Sequence, residues 1–251
     1  EEADRAIALA RLEGVSVLAR GGGTSQSGQT VGQSLVVDCS KYLTRILELD
    51  VKARRCTVEP GIVLDELNRQ LNPHGLWFPV DISTASRATL GGMAGNNSCG
   101  GRSLRYGTMR DNVVSIEAIL ADGTLGHFGR IGGSAFDVPT PLRPLAADLL
   151  GIGAREADEI AARFPKVQRR VGGYNLDALV PGKNDINLAH ILVGSEGTLG
   201  FSTRIELKLS PLLGRRAVGA VNFGSFYEAM HCAQHIVRLK PIAVELIDRT
   251  M

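Results

Sequence analysis

The chain has 251 residues, 44% of them hydrophobic, enough to bury a full core as one large domain or two smaller ones. A net charge of +2 carries no nucleic-acid signature, and no apolar run is long enough to cross a bilayer, so this stretch reads as soluble. The four cysteines, Cys39, Cys56, Cys99 and Cys232, are too scattered for a disulfide scaffold or a C-x-x-C metal site, which points to a reduced, cytoplasmic setting.

In chain order, EEADRAIALARLEG carries an apolar stripe through Ala3, Ile7 and Ala10 and acids in its first turn, the pattern of a helix closed by Gly14. VSVLA, LVVD, ILELD and RCTVE read as short strands separated by turn residues. Between the first two lies Arg20-Gly21-Gly22-Gly23-Thr24-Ser25-Gln26-Ser27-Gly28. Glycines there let the backbone come close to a ligand, consecutive N–H groups can form an anion nest, and hydroxyls and Arg20 add donors and charge. The natural guest is a phosphate or pyrophosphate; a Gly/Ser surface loop is the plainer alternative. The loop lacks the Gly-Lys-Ser/Thr ending of a P-loop and precedes a strand rather than a long helix, which also excludes the dinucleotide fingerprint.

IVLDELNRQLNPHG places Val63, Leu64, Leu67 and Leu71 on one helical face and stops at Pro73 and Gly75. From Ala85 to Gly107 the composition turns to small and polar residues, which predicts a second backbone-lined cradle. NVVSIEAILADGTLGHFG returns to strand with a tight turn at Asp122-Gly123. Residues 145–165 are helical up to Pro165, and FSTRIELKLS alternates as a strand with one buried face. The fold class is α+β. Three glycine-rich stretches, near residues 21–28, 91–101 and 194–200, are too many for one phosphate and suit one long ligand of dinucleotide size, such as FAD.

RGGGTSQSG, VEPGIVLDELN, TLGGMAGNNSCGGRSLRYG with ILADG, GYNLDAL and LVGSEGTLGFSTRIELKL, running in this order from about residue 1 to 209, resemble the FAD-linked oxidases of the vanillyl-alcohol-oxidase and p-cresol-methylhydroxylase type. Within that family the chain is most similar to the branch holding the glycolate oxidase flavin subunit, D-lactate dehydrogenase and D-2-hydroxyglutarate dehydrogenase. The NNSCG wording and the long insertion before GYNLDAL resemble large members with a C-terminal iron–sulfur region, which this chain does not contain. The resemblance implies a bilobed FAD-binding domain, lobe one at residues 1–80 and lobe two at 81–212. Residues 213–251 would then be the start of a ferredoxin-like cap, with RRAVGAVNF, SFYEAMHCAQHIVRL and PIAVELID as its first strand, helix and strand.

Carried over position by position, the resemblance gives Gly21, Gly22, Gly23, Thr24, Ser25 and Gly28 to the FAD pyrophosphate. Thr89, Leu90, Gly91, Gly92, Asn96, Asn97, Ser98 and Gly101 would wrap the pyrophosphate and the flavin side. Asp81 would approach the cofactor from a Pro-containing turn, and Glu196, Gly197, Leu199, Gly200 and Phe201 would complete the site. Tyr174 and Asn175 match a pattern on the substrate side, although a packed core aromatic is the plainer reading of Tyr174. For Glu196, a buried hydrogen-bonded acid that orders its loop stands level with direct contact. FAD is expected without a covalent link, because family members that tether flavin through this loop carry histidine where Thr24 stands.

The implied activity is FAD-dependent oxidation of a D-2-hydroxy acid to a 2-oxo acid, with electrons passing to an iron–sulfur region, flavoprotein, cytochrome or quinone. Location would be cytoplasmic, extending to the inner face of the membrane. Alternatives are an FAD-binding module without turnover of its own and an NADPH-dependent reductase of related fold. The chain reads as a fragment cut at both ends, with base and carboxylate-binding groups expected in the missing cap and no turnover expected from the fragment alone. His231 and His235 flank Cys232 at helical spacing but lack the glutamate of H-E-x-x-H, so a metal is not expected. GIGARE at 151–156 reads as a helix break, and Arg215-Arg216 and residues 167–170 as solvated basic surface.

Overall fold

The computed structural model describes residues 2–182 and 186–250. Helix α1 (Glu2–Leu12) opens on acids and is followed by Gly14 at φ +64; Glu1, included in the expected helix, lies outside the described residues. Strands β1 (Val17–Arg20) and β2 (Leu35–Asp38) pair in parallel, Val17 beside Leu35 and Arg20 beside Asp38. Parallel neighbours need a long return path, and residues 21–34, with the glycine-rich run at their start, supply it.

Strands β3 (Ile46–Asp50) and β4 (Arg55–Val58) form an antiparallel pair, and helix α2 (Leu64–Leu71) then buries Leu64, Leu67 and Leu71. Val63 is not on that face: it is the residue that precedes the helix, in extended conformation. A 3-10 turn at Asn72–His74 ends on Gly75 at φ +71, and β5 (Leu76–Trp77) follows. The polar 85–107 segment, expected as a backbone-lined cradle, carries the short helices α3 (Leu90–Asn96) and α4 (Ser103–Tyr106). After α5 (Met109–Asn112), β6 (Val113–Ile119) and β7 (Leu125–Phe128) make the expected hairpin, with Gly123 at φ +87.

Strand β8 (Arg130–Ile131) precedes the insertion helices α6 (Arg143–Arg155) and α7 (Ala157–Arg163), and β9 (Ile186–Asn187) pairs with β8. Helix α8 (Ala189–Leu192), β10 (Phe201–Lys208), β11 (Ser210–Pro211) and α9 (Phe226–Ile236) complete the described chain. One five-stranded sheet, in the order β3-β4-β10-β6-β7, joins strands from both sides of residue 80. Val58, Leu67, Leu90, Met93, Ile116 and Ile205 are all buried in a single cluster on this sheet, so the core is continuous across that position.

The helix break expected at GIGARE falls on its last residue: α6 runs through Gly151 and Gly153 and stops at Glu156 (φ −95, ψ 10), after which α7 begins at Ala157. Gly153 sits where α6 meets the 3-10 turn Leu176–Leu179, so close that a Cβ would stand 2.1 Å from the Leu179 carbonyl oxygen. The flanks of α9 are not strands among the described residues. A strand needs a neighbour for its ladder, and none pairs with residues 216–223 or 241–248, leaving Val218 97% exposed.

The contrast between the two α6 glycines predicts opposite effects of one methyl group. Gly151 faces open space, so Gly151→Ala is expected to stabilise the fold by about 0.5–1 kcal/mol. Gly153→Ala must push backbone apart and is expected to destabilise by about 1–3 kcal/mol. Urea unfolding of the two variants measures the difference; an equal shift would mean α6 does not pack on residues 176–179 as described.

Candidate functional site

The three glycine-rich stretches meet around one cavity of about 730 Å³, within the roughly 300–1,000 Å³ typical of small-molecule sites. Loop residues Gly21 to Ser25 form one wall, Asp81 to Thr84 and α3 a second, and Ser195 to Gly197 with Gly200 a third. Gly21 and Gly22 are glycines because the loop lies flat on the next segment: a Cβ would stand 2.1 Å from Thr89 Oγ1 at the first and 2.2 Å from the Arg87 carbonyl oxygen at the second. Gly23 takes φ +62, and the Arg20 guanidinium folds over it while donating to the Thr30 carbonyl at 3.4 Å.

Donors for an anion come from this loop. Among the described residues, the backbone N–H groups of Gly22, Gly23, Thr24 and Ser25 have no protein acceptor, and all four residues border the cavity. The start of α3 is not equivalent. Leu90 N–H already donates to the Ile62 carbonyl and Gly91 N–H to the Pro60 carbonyl, while Gly92 N–H reaches the Thr89 hydroxyl at 3.4 Å. A Cβ on Gly91 would lie 2.6 Å from Pro60 Cβ, so that glycine also serves packing.

The second wall is braced from behind. Asp81 Oδ1 accepts from Arg102 N–H at 3.1 Å, and the Arg102 side chain lies over the Trp77 ring at 5.0 Å. Gly100 passes so near that a Cβ would stand 1.9 Å from the Asp81 carbonyl oxygen. Asn97 ends α3 in the left-handed region (φ +54), and its Oδ1 accepts from Arg110 N–H at 3.0 Å. At the third wall, Glu196 (φ +52) accepts from Asn96 Nδ2 at 2.8 Å and Gln29 Nε2 at 3.1 Å. Glu196 is exposed, so the expectation of a buried acid is corrected, while its hydrogen bonding to neighbouring loops is as that reading had it.

Of the residues singled out from sequence, Gly21, Gly22, Gly23, Thr24, Ser25, Asp81, Thr89, Gly91, Gly92, Asn96, Asn97, Ser98, Gly101, Glu196, Gly197 and Gly200 line the cavity. Gly28, Leu90, Leu199 and Phe201 do not; Leu90 and Phe201 are buried in the cores beneath. Tyr174 and Asn175 are not brought to the cavity wall. Tyr174 is 43% exposed, which overturns the packed-aromatic reading, and its hydroxyl meets Thr198 Oγ1 at 2.8 Å. Asn175 is buried and structural: Nδ2 donates to the His190 and Val193 carbonyls, and Oδ1 accepts from Arg110 and Arg170. Both arginines also pair with Asp177.

The cavity gains residues the sequence did not advertise. Gln29, Ser83, Thr84, Val171 and Glu245 line it. The polar run Ser83-Thr84 beside Asp81 was a usable signal, whereas nothing local marks Glu245, whose carboxylate occupies the space a Gly101 side chain would take. Cys39, on the cavity edge, is no nucleophile: burial, then Asp38, pushes its thiol up to about 11. No metal-binding group of three or more ligands occurs among the described residues. No helix is long and apolar enough to cross a membrane, again among the described residues.

Residues 1–129 match the model of the FAD binding domain family. Over 242 residues the chain is 34% identical to D-2-hydroxyglutarate dehydrogenase of Pseudomonas putida, an alignment covering 95% of this chain and 24% of that enzyme. It is 30% identical over 250 residues to D-lactate dehydrogenase of Archaeoglobus fulgidus, covering 99% of this chain and 46% of that one. Among solved structures, alkyldihydroxyacetonephosphate synthase superposes with a TM-score of 0.62, covering 96% of this chain and 36% of its own, at 22% identity, a likeness of fold. The chain thus spans 24% of the length of the D-2-hydroxyglutarate dehydrogenases of Pseudomonas putida and Haemophilus influenzae.

The wall behind Asn97 makes a prediction about acid. Burial first, and then Arg110, pushes His190 down to about 4 from an ordinary 6.5. Between those values the unfolded chain holds a proton the folded chain excludes, so stability falls as pH drops from 6.5 toward 4. Ordinary carboxylates add their losses only below about 4.5. The urea midpoint is therefore expected to fall between pH 6.5 and pH 4.5, and to fall less in His190→Gln. An identical decline in both proteins would remove His190 from the account.

Proposed function

Because the chain belongs to the FAD binding domain family, we propose that this cavity holds one FAD without a covalent link and serves the oxidation of a D-2-hydroxy acid to a 2-oxo acid. The observation that carries the reading is the loop of unpartnered N–H groups from Gly22 to Ser25, set in a cavity that two further glycine-rich stretches complete. Its volume of about 730 Å³ suits a ligand of dinucleotide size.

In this reading the backbone of Gly22 to Ser25 binds the diphosphate, with Arg20 offsetting part of its charge. Asp81, Thr89 and Asn96 to Ser98 orient the rest of the cofactor, while Gly92, Gly197 and Gly200 allow its close approach and Gly101 makes room for Glu245. Bound FAD supplies a two-electron acceptor for the hydride leaving the substrate carbon. Thr24 offers only a hydroxyl, a poor group for tethering flavin at neutral pH. Identity with the dehydrogenases of D-2-hydroxyglutarate and D-lactate supports a short D-2-hydroxy acid as substrate. Asn175 is withdrawn as a substrate contact, since its Oδ1 accepts from Arg110 and Arg170 and its Nδ2 donates to the His190 and Val193 carbonyls.

Residues 1–80 and 81–212 are proposed as the two lobes of one FAD-binding domain, and residues 213–251 as the start of a substrate cap. An iron–sulfur region, flavoprotein, cytochrome or quinone would take the electrons. A cytoplasmic location, extending to the inner membrane face, fits a chain with free cysteines.

Three outcomes test the proposal. Acid precipitation of the holoprotein is expected to leave yellow flavin in the supernatant; colour retained in the washed pellet would show a covalent link. Gly22→Ala lifts the loop off Arg87 and is expected to weaken FAD binding more than about tenfold, ~1.4 kcal/mol. Ser27→Ala, outside the cavity, is expected to change it less than about twofold; equal losses would make the loop a mere linker. Anaerobic D-2-hydroxyglutarate or D-lactate is expected to bleach the flavin absorbance of the complete holoprotein, and bleaching by NADPH instead would contradict the assigned reaction.

A further inference from the structure

We propose that Glu196 is a positioning residue, a clasp that holds the phosphate loop against α3 through Gln29, and that it does not contact the cofactor itself. The inference rests on the cavity's reading as an FAD site and concerns how that site is kept open. Three observations lead to it. First, Glu196 sits at φ +52, a conformation that costs an L residue and that glycine adopts freely. Glycines stand near it on both sides, at Gly194 and Gly197, also with positive φ. What a third glycine would lack at this place is the carboxylate.

Second, the carboxylate joins all three stretches that build the cavity. Oε1 takes Asn96 Nδ2 at 2.8 Å from α3, and Oε2 takes Gln29 Nε2 at 3.1 Å from the segment that carries the phosphate loop. The Glu196 backbone is fixed to the same helix, N–H to the Gly95 carbonyl at 2.9 Å. The clasp is therefore rigid on the α3 side, and Gln29 is the part it holds.

Third, the amide of Gln29 is oriented by this contact at a cost. A carboxylate only accepts, so Nε2 must face Glu196 and Oε1 must face away. That Oε1 is buried without a hydrogen-bond partner among the described residues. A negative side chain beside an anion site is electrostatically unfavourable, which the positional role of the clasp must outweigh.

The test uses the cofactor-free protein and the FAD complex together. Trypsin cleavage after Arg20 in cofactor-free protein is expected to quicken in Glu196→Ala and in Gln29→Ala, with the urea midpoint unchanged. FAD affinity is expected to drop roughly fivefold to thirtyfold in each single variant and hardly further in the double variant, because both remove one contact. Glu196→Gln, which offers one oxygen to two donors, is expected to fall between wild type and Glu196→Ala. Additive losses in the double variant with unchanged trypsin cleavage would overturn the proposal and make Glu196 a direct ligand. Tighter FAD binding by Glu196→Gln would also overturn it, showing that the charge merely repels. Failure of wild-type protein to bind FAD would instead sink the cofactor reading, and the proteolysis comparison would still decide the clasp.

Discussion

The structure depends on one close approach: the backbone at Gly21 and Gly22 lying directly on the backbone and hydroxyl of Arg87 to Thr89. No side chain fits between these segments, so the loop after β1 cannot rise into solvent without leaving the floor of the cavity behind. The approach turns two polar stretches, distant in sequence, into adjoining walls. It also sends the N–H groups of the following residues away from protein acceptors, which leaves them for a ligand.

The same geometry changes which glycines serve the ligand. A glycine-rich helix start invites the reading of an anion site, yet α3 spends its first N–H groups on the carbonyls of Ile62 and Pro60. The helix is thereby docked to the segment leading into α2, and Gly91 is small because Pro60 is against it. In the proposed reading, phosphate recognition therefore falls to the Gly22–Ser25 loop, while the Thr89, Asn96 and Asn97 side chains already serve protein hydrogen bonds that shape the wall. Division of labour of this kind explains why glycines occur in three clusters: some admit the cofactor, and others let protein segments meet.

Much of this was legible in the sequence because the signals were local. Alternation in FSTRIELKLS and the Asp122-Gly123 turn gave β10 and the β6–β7 hairpin, and the helical spacing of Leu64, Leu67 and Leu71 gave α2. Small-residue loops pointed to the cavity because a packed core does not call for them. The failures share a different cause, dependence on partners far along the chain. Strands flanking α9 need neighbours that the described residues do not provide, so their alternation is not expressed as structure. Asn175 looked like a site residue from its motif, but its environment is set by Arg110 and by the end of α8, neither near in sequence. Glu245 reached the cavity through the path of the chain after α9, which no local pattern encodes.

The central claim, that three glycine-rich stretches form one extended site for a dinucleotide, is tested most directly by ligand length. Cofactor-free protein titrated with FAD, FMN and riboflavin, followed by flavin fluorescence, compares ligands that share one ring system and differ in the diphosphate and second ring. Binding of FAD more than about a hundredfold tighter than FMN, ~2.7 kcal/mol, is the predicted result. Equal affinity for FAD and FMN would contradict the account, because the Gly22–Ser25 loop would then hold nothing that the shorter ligand lacks.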